Sequence, residues 1–333
     1  MTTSLRGARR LVLAAMAAAC LAQSFQVQAQ AQGSDYPNKP ITLVVPYPAG
    51  GANDAVARLV GQKMGEQLKQ QVIIDNRPGA GTTLAMALVA KAPADGYTIV
   101  LGSLASQAVS PHLYAKPGYE PIGDFAPIGM IGSAPNILVV AKDSPHKDLK
   151  SLVEAARKQP GILTYGSSGN GSPLHLAGEL FKQAANVQIN HIPYKGGNAH
   201  QMDLIGGRID MIFDTTTSAV PMLRGDKMRA LAVAAPSRLP EFPNVPTFAE
   251  SGYPGFEVNA WYALYAPAKT PGEVLARLAG ALKTVMAQAE VSDKLAALAV
   301  RSTPGTPQEL ASFSQAELGK YGKLIKAGNI RID

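Results

Sequence analysis

Two short loops carry the residue types best suited to chemistry. Pro46-Tyr47-Pro48-Ala49-Gly50-Gly51-Ala52-Asn53-Asp54 offers one aromatic hydroxyl, two glycines and two candidate helix N-caps. Gly166-Ser167-Ser168-Gly169-Asn170-Gly171-Ser172-Pro173 offers a nest of N–H and O–H donors. Each precedes a stretch with helical spacing. A helix start leaves its first backbone N–H groups without intrahelical partners, and its dipole favours negative charge there. Gly50 and Gly51 let a ligand approach the backbone closely, and Asn53 or Asp54 serves as the N-cap. The chemistry these loops suggest is capture of a carboxylate or similar anion, with no bond made or broken.

Catalytic patterns fit poorly. A P-loop needs Lys-Ser/Thr after its last glycine, and here Ser172-Pro173 follows Gly171. A nucleophile elbow needs G-x-S-x-G, and Gly169 falls one place early. Gly79-Ala80-Gly81 matches half of a dinucleotide fingerprint, with Leu84 at the third glycine position. His112, His146, His175, His191 and His200 show no metal-ligand spacing, so neither metal nor cofactor is expected. His175 reads as a packing or capping residue near the serine loop. The alternatives are an exported hydrolase or transferase using Asp54, His175 or a loop serine, and an interaction protein with a degenerate cleft.

Strands must hold these loops in place. Ile41-Thr42-Leu43-Val44-Val45 is an unbroken, β-branched apolar run, the mark of a buried parallel strand. Val56, Leu59, Val60, Met64 and Leu68 follow at helical spacing. Val72 to Asp75 and Thr98 to Leu101 read as further strands, each opening onto a Gly, Ser or Thr loop, at 77–83 and 102–106. Three βα units in succession indicate a parallel α/β sheet. Residues 110–134, rich in Pro and Gly, read as irregular, and Ile137 to Val140 as a strand entering a second lobe. There, strands at 163–165, 188–192 and 210–214 end in donor-bearing loops, the last at Asp214-Thr215-Thr216-Thr217-Ser218. Residues 257–265 cross back, and three helices close the chain, at about 272–289, 292–300 and 307–326. The expected fold is two-lobed, each lobe a mostly parallel sheet flanked by helices. Ligand sits in the cleft between lobes, beyond the carboxyl ends of the strands. The lobes are expected at 35–136 with 258–333, and at 137–257, with hinge crossings near 135–138 and 255–260.

Arg6, Arg9 and Arg10 before the alanine-rich run Leu11 to Leu21, with Ala29-Gln30-Ala31 as a cleavage site, form a signal peptide over 1–31. Cys20 is the single cysteine and lacks the leucine expected before a lipidated one. The exported chain therefore has no disulfide and depends on its core. The formal charge is +7, three of it in the leader. The basic residues are scattered, which disfavours nucleic acid.

Several spaced motifs resemble one family. They are Tyr36-Pro37-x-Lys39-Pro40-Ile41, Val45-Pro46-Tyr47-Pro48-Ala49-Gly50-Gly51-x-x-Asp54, Asn76-Arg77-Pro78-Gly79-Ala80-Gly81, Ala94-Asp95-Gly96-Tyr97-Thr98, Tyr165-Gly166-Ser167-Ser168-Gly169-x-Gly171-Ser172 and His191-x-Pro193-Tyr194-Lys195-Gly196. From about Tyr36 onward the chain resembles the Bug-type (TctC-like) extracytoplasmic solute receptors, the binding component of tripartite tricarboxylate transporters. The resemblance implies a two-lobed periplasmic protein that closes on a small carboxylate. Main-chain amides, hydroxyls and ordered water would hold it, without an arginine clamp. Matched by motif, the contacts would be Tyr47, Ala49, Gly50 and Asp54 in one lobe. In the other they would be Ser167, Ser168, Asn170 and Ser172, with Tyr194, Gly196 and Asp214 nearby. The implied partners are TctA/TctB-like membrane subunits or a sensor protein, and the receptor is expected as a monomer. Family ligands range over dicarboxylates, amino acids and aromatic acids. Ala263, after Trp261-Tyr262, departs from the usual glycine.

Overall fold

The computed structural model describes residues 36–170, 172–194, 198–327 and 330. The expected leader and Gly196 lie outside the described residues. The chain divides into two units, 1–39 and 40–333. In the first, Tyr36–Lys39 is described, with a cis Tyr36–Pro37 bond. All helices and strands among the described residues lie in the second.

The chain runs β1 (Ile41–Val45), α1 (Ala52–Leu68), β2 (Val72–Asn76), α2 (Thr83–Ala90) and β3 (Thr98–Ser103). A π-turn leads into the short α3 (Ser110–Leu113) and then β4 (Phe125–Ala141). Next come α4 (Leu149–Lys158), β5 (Thr164–Ser167), α5 (Pro173–Ala185), β6 (Asn190–Pro193), α6 (Ala199–Ile205), β7 (Met211–Thr215), α7 (Thr216–Arg224) and β8 (Met228–Val233). The return is β9 (Asn259–Pro267), α8 (Gly272–Met286), α9 (Ala289–Ala297), β10 (Arg301–Gly305) and α10 (Pro307–Ala327).

β1 lies between β2 and β3, parallel to both. Ile41, Leu43, Val44 and Val45 are all buried, as a strand covered by helices on both faces requires. β5 is likewise parallel to β6 and β7. Between these parallel groups lie antiparallel strands, in the order β2-β1-β3-β9-β4-β7-β5-β6, with β8 and β10 also paired to β4. The sheet is therefore mixed, and β4 joins its halves. Phe125 to Pro135 pairs with β9. From Asn136 the same strand pairs with β7 and β8.

Each half has its own core. Val44, Val100, Trp261, Tyr265 and Tyr321 belong to one cluster. Leu138, Tyr165, Phe181, Phe213 and Phe248 belong to another. Two cores on one bridging strand make a two-lobed α/β molecule.

The segment 110–134 was expected to be irregular, yet Phe125 onward is strand. Its Pro and Gly residues sit where the ladder to β9 shifts register, between Pro127 and Gly129 and between Met130 and Gly132, places where β-bulges accommodate them. β10 went unseen because Arg301-Ser302-Thr303-Pro304-Gly305 has no apolar alternation and pairs with β4 by backbone alone. A Cβ on Gly132 would lie 2.4 Å from the Arg301 carbonyl oxygen. Gly132→Ala is expected to destabilise the protein by about 1–3 kcal/mol through this overpacking, read as a lower urea midpoint at unchanged slope. An unchanged midpoint would contradict the close β4–β10 approach.

Candidate functional site

The β1–α1 loop is braced from within. α1 begins at Ala52, with Gly51 as an N-cap that makes no side-chain bond. The expected capping by Asn53 or Asp54 is therefore corrected: both lie inside the first turn. Asp54 is buried and folds back on the loop. Its Oδ2 accepts from the Gly50 N–H at 2.9 Å and from Arg58 Nε at 2.8 Å. Its Oδ1 accepts from Asn76 Nδ2 at 3.0 Å, and the same amide donates to the Tyr47 carbonyl at 3.1 Å. Burial opposes ionisation of Asp54, but these donors outweigh it and hold the carboxyl below the usual range. Gly50, at φ +82°, takes a left-handed turn that favours glycine. Ala49 and Gly50 are exposed. Tyr47 shares a 2.6 Å hydrogen bond with the Ser103 hydroxyl. Burial, partly offset by Ser103, pushes the phenol up to about 12 and keeps it neutral.

The β5–α5 loop uses its serines differently. Ser172 caps α5, accepting from the His175 N–H at 3.2 Å. Ser167 is fully buried, and its Oγ lies 3.1 Å from both the N–H and the carbonyl of Gly169. His191 Nε2 approaches the same oxygen at 2.6 Å. A serine so enclosed braces the loop and does not present a nucleophile. Ser168 is half-buried and Asn170 exposed. Tyr194 donates its N–H to the Ser167 carbonyl at 3.0 Å, while its hydroxyl turns to Asp203 at 2.7 Å.

Asp214 is the penultimate residue of β7 and is buried. It accepts from Gln201 Nε2 at 2.6 Å and from the Thr215 N–H at 2.8 Å. Thr215 caps α7, accepting from the Ser218 N–H. Asp214, like Asp54, is spent on positioning its own loop.

Strand direction determines how these loops meet. β3 and β4 are both antiparallel to β9, so they run parallel and β3 points along β4 toward the second lobe. β7 is antiparallel to β4 and points back toward the first. The carboxyl ends of both parallel groups therefore face one seam, near the change of partners at Pro135–Asn136. Contacts bear this out. Thr216 donates its hydroxyl to the Ala299 carbonyl at 3.2 Å. Leu176 of α5 packs in the first lobe's core. Tyr262 of β9, opposite Ser103, lies near both Tyr47 and Thr217. The threonine's own oxygen nonetheless lacks hydrogen-bond geometry to any described residue. The Asn136 amide and Gln201 Oε1, both fully buried, also lack a partner among the described residues.

Sequence reasoning missed Asn76, Gln201, Tyr262 and the contact of His191 with Ser167. Each acts through a neighbour on another strand or helix, which the motifs holding Asn76, His191 and Tyr262 do not reveal. Asn76 reaches Tyr47 only because β2 pairs in register with β1, Val45 opposite Asn76. The loops 46–54, 166–173 and 214–218 contain no lysine or arginine, so the donors these three loops offer an anion are uncharged N–H and O–H groups.

Asp54→Asn is expected to lower stability by about 1–3 kcal/mol at pH 7, the range for a bond to a charged group lost in a buried site. Because the folded carboxyl is held below its unfolded value, its contribution is full above the ordinary carboxylate range and is lost as pH falls through the folded value. The variant's stability curve should therefore be flatter than the parent's below about pH 4. Urea unfolding between pH 2.5 and 7 measures this, and superimposable curves would contradict the brace.

A family profile described as the tripartite tricarboxylate transporter family receptor (TctC) matches residues 56–330. A protein from the tcbD–tcbE intergenic region of Pseudomonas sp. strain P51 is 40% identical over 318 residues, 95% of this chain and 94% of its own. Among solved structures, R. palustris Rpa4515 with adipate is 36% identical with a TM-score of 0.83, covering 89% of this chain and 99% of that one. MatC from Rhodopseudomonas palustris with bound malate is 33% identical with a TM-score of 0.79, covering 87% and 100%. The chain belongs to the TctC family of periplasmic solute-binding receptors for tripartite tricarboxylate transporters.

Proposed function

We propose that this chain is exported to the periplasm by its 1–31 leader, captures a small organic carboxylate and delivers it to a tripartite tricarboxylate-type membrane transporter. One observation carries the reading: the starts of α1, α5 and α7 converge on a single seam whose loops contain no lysine or arginine. Main-chain N–H groups and hydroxyls there replace the anion's hydration shell. The adipate and malate in the two related structures are both carboxylates, which supports this ligand class.

Within this reading the contact residues divide by task. Ala49 and the first turn of α1 supply amides on one side, where Gly50, its own N–H held by Asp54, lets the ligand approach the backbone. Ser168, Asn170, Gly196 and the first turn of α7 supply donors on the other. Asp54, Ser167, Ser172 and Asp214 hold those donors in place, and Tyr47 and Tyr194 wall the cleft. Asn136, Gln201 and Thr217 add buried polar atoms that a polar guest would satisfy. Lobes at 35–136 with 258–333 and at 137–257 close about the two crossings, and ligand favours the closed state by its contacts with both.

The test is thermal-shift screening of the mature protein against mono- and dicarboxylates. A ligand at a hundredfold excess over its Kd should stabilise by about 2.7 kcal/mol, a shift of several degrees. Ser168→Ala should weaken that ligand about tenfold, the loss of one hydrogen bond. Silence toward every organic acid, together with a shift from a neutral or cationic solute, would overturn the proposal.

A further inference from the structure

Behind the β5–α5 loop lies a stack of titratable side chains with no assigned role. Tyr165 and His191 are opposite one another on β5 and β6 and share a face. α5 lies over that face, close enough that a Cβ on Gly178 would fall 2.1 Å from the Tyr165 ring. The His191 ring stacks on His175 at 4.0 Å and 13°, and on Tyr165 at 4.9 Å and 29°. Tyr165 donates its hydroxyl to Glu179 at 2.7 Å, and Lys182 reaches both oxygens of that carboxylate at 2.9 Å. His175 Nε2 lies 3.9 Å from Glu179 Oε1. The groups facing His191 are therefore Tyr165 from β5 and His175, Glu179 and Lys182 from α5.

Ser167 Oγ has one proton and two lone pairs. It lies against three groups: the Gly169 N–H, the Gly169 carbonyl and His191 Nε2. One assignment satisfies all three. The Gly169 N–H and a protonated His191 Nε2 both donate to Oγ, and the hydroxyl donates to the Gly169 carbonyl. The opposite tautomer would leave the histidine nitrogen and the carbonyl competing for a single proton.

We propose that His191 is a positioning residue for the donor loop: its Nε2–H fixes the Ser167 hydroxyl, which pins Gly169 through both backbone groups and so aims Ser168 and Asn170. The ligand role of those two residues rests on the carboxylate reading above, whereas the strut itself does not. Gly169 sits at φ +131°, a region with little conformational preference of its own for glycine, so the side-chain anchor sets the loop. Burial first, then the neighbouring His175, brings the His191 imidazole down to about 4. The ring thus stays neutral to about pH 5; below that the proton adds at Nδ1, which leaves the Nε2–H donor in place but puts a charge in a buried stack. Since this folded value lies below the unfolded one, the stability it contributes is full above about pH 6.5 and declines as pH falls toward 4.

Two variants separate the hydrogen bond from the packing. His191→Phe keeps a stacking ring and loses the donor, while His191→Gln keeps an N–H donor and cannot titrate. Nitrogen-15 NMR of the parent should show the Nε2–H tautomer from pH 5 to 8. In His191→Phe the Gly169 amide should exchange about tenfold faster, as loss of one hydrogen bond predicts. β1 and β3 amides should stay unchanged, and His191→Gln should remain within about threefold of the parent. An Nδ1–H tautomer, or parental Gly169 exchange in His191→Phe, would overturn the proposal. If His191→Phe also loosens β1 and β3, the tautomer and the glutamine variant decide. Adipate titration of the same proteins separates the two readings. Altered exchange without binding of adipate or any other carboxylate by the parent sustains the strut and sinks the carboxylate site.

Discussion

The direction in which β4 runs is the constraint on which the rest depends. One strand of 17 residues leaves the first core antiparallel to β9 and enters the second antiparallel to β7. Antiparallel pairing on either side of the crossing forces the two parallel strand groups to aim their carboxyl ends at each other. In α/β sheets those ends carry the loops and helix starts. A parallel entry into the second lobe would have turned the serine loop away from the tyrosine–glycine turn. The face-to-face seam is thus a property of pairing direction, fixed before any individual donor is placed.

Given the seam, the polar side chains in it serve mainly to hold backbone. Asp54 binds the Gly50 amide, Ser167 binds Gly169 and Asp214 binds the Thr215 amide. Each is a short link from a rigid element to the backbone at the end of a strand or the start of a helix. Preorganised dipoles cost little reorganisation when an anion arrives and are stronger in a water-poor cleft. Two of the carboxylates are offset by cations, while Asp214 has, among the described residues, only neutral donors and the His200 ring at 3.8 Å. Arg58 balances Asp54, and Lys182 balances Glu179. The neutral His191 ring and the buried Tyr47 phenol complete the surroundings. Under the proposed function such a site would read the shape and hydrogen bonding of an acid; two related structures hold adipate and malate.

The two halves are also coupled through apolar contacts. Leu176, at the start of α5, packs in the first lobe's core. The helix whose N-terminus faces the seam is therefore tied to both sides. Thr216 to Ala299 adds a second tie, from α7 to the turn before β10. Changes at either contact would act on the coupling of the two halves as well as on stability.

The sequence alone determined the local units. Apolar β-branched runs bounded by glycine fixed most strands to within a few residues, and helical spacing fixed α1, α5 and α10, because those signals are set by neighbours along the chain. The donor-rich loops at 46–54 and 166–173 were legible for the same reason. What the sequence could not convey was partnership across the sheet. Residues 125–134 looked irregular because bulges, which absorb Pro and Gly, exist only against a paired strand. β10 was silent because its pairing uses backbone atoms common to every residue. Asn76, Gln201, Tyr262 and His191 gained their roles only through register and helix packing, which bring together residues as far apart as Tyr47 and Tyr262. Tertiary structure also reassigned Asp54 from cap to brace and turned the Tyr194 hydroxyl to Asp203. A carboxylate or phenol bonds to whatever donor or acceptor the folded chain brings within about 3 Å, and spacing along the chain does not encode that choice.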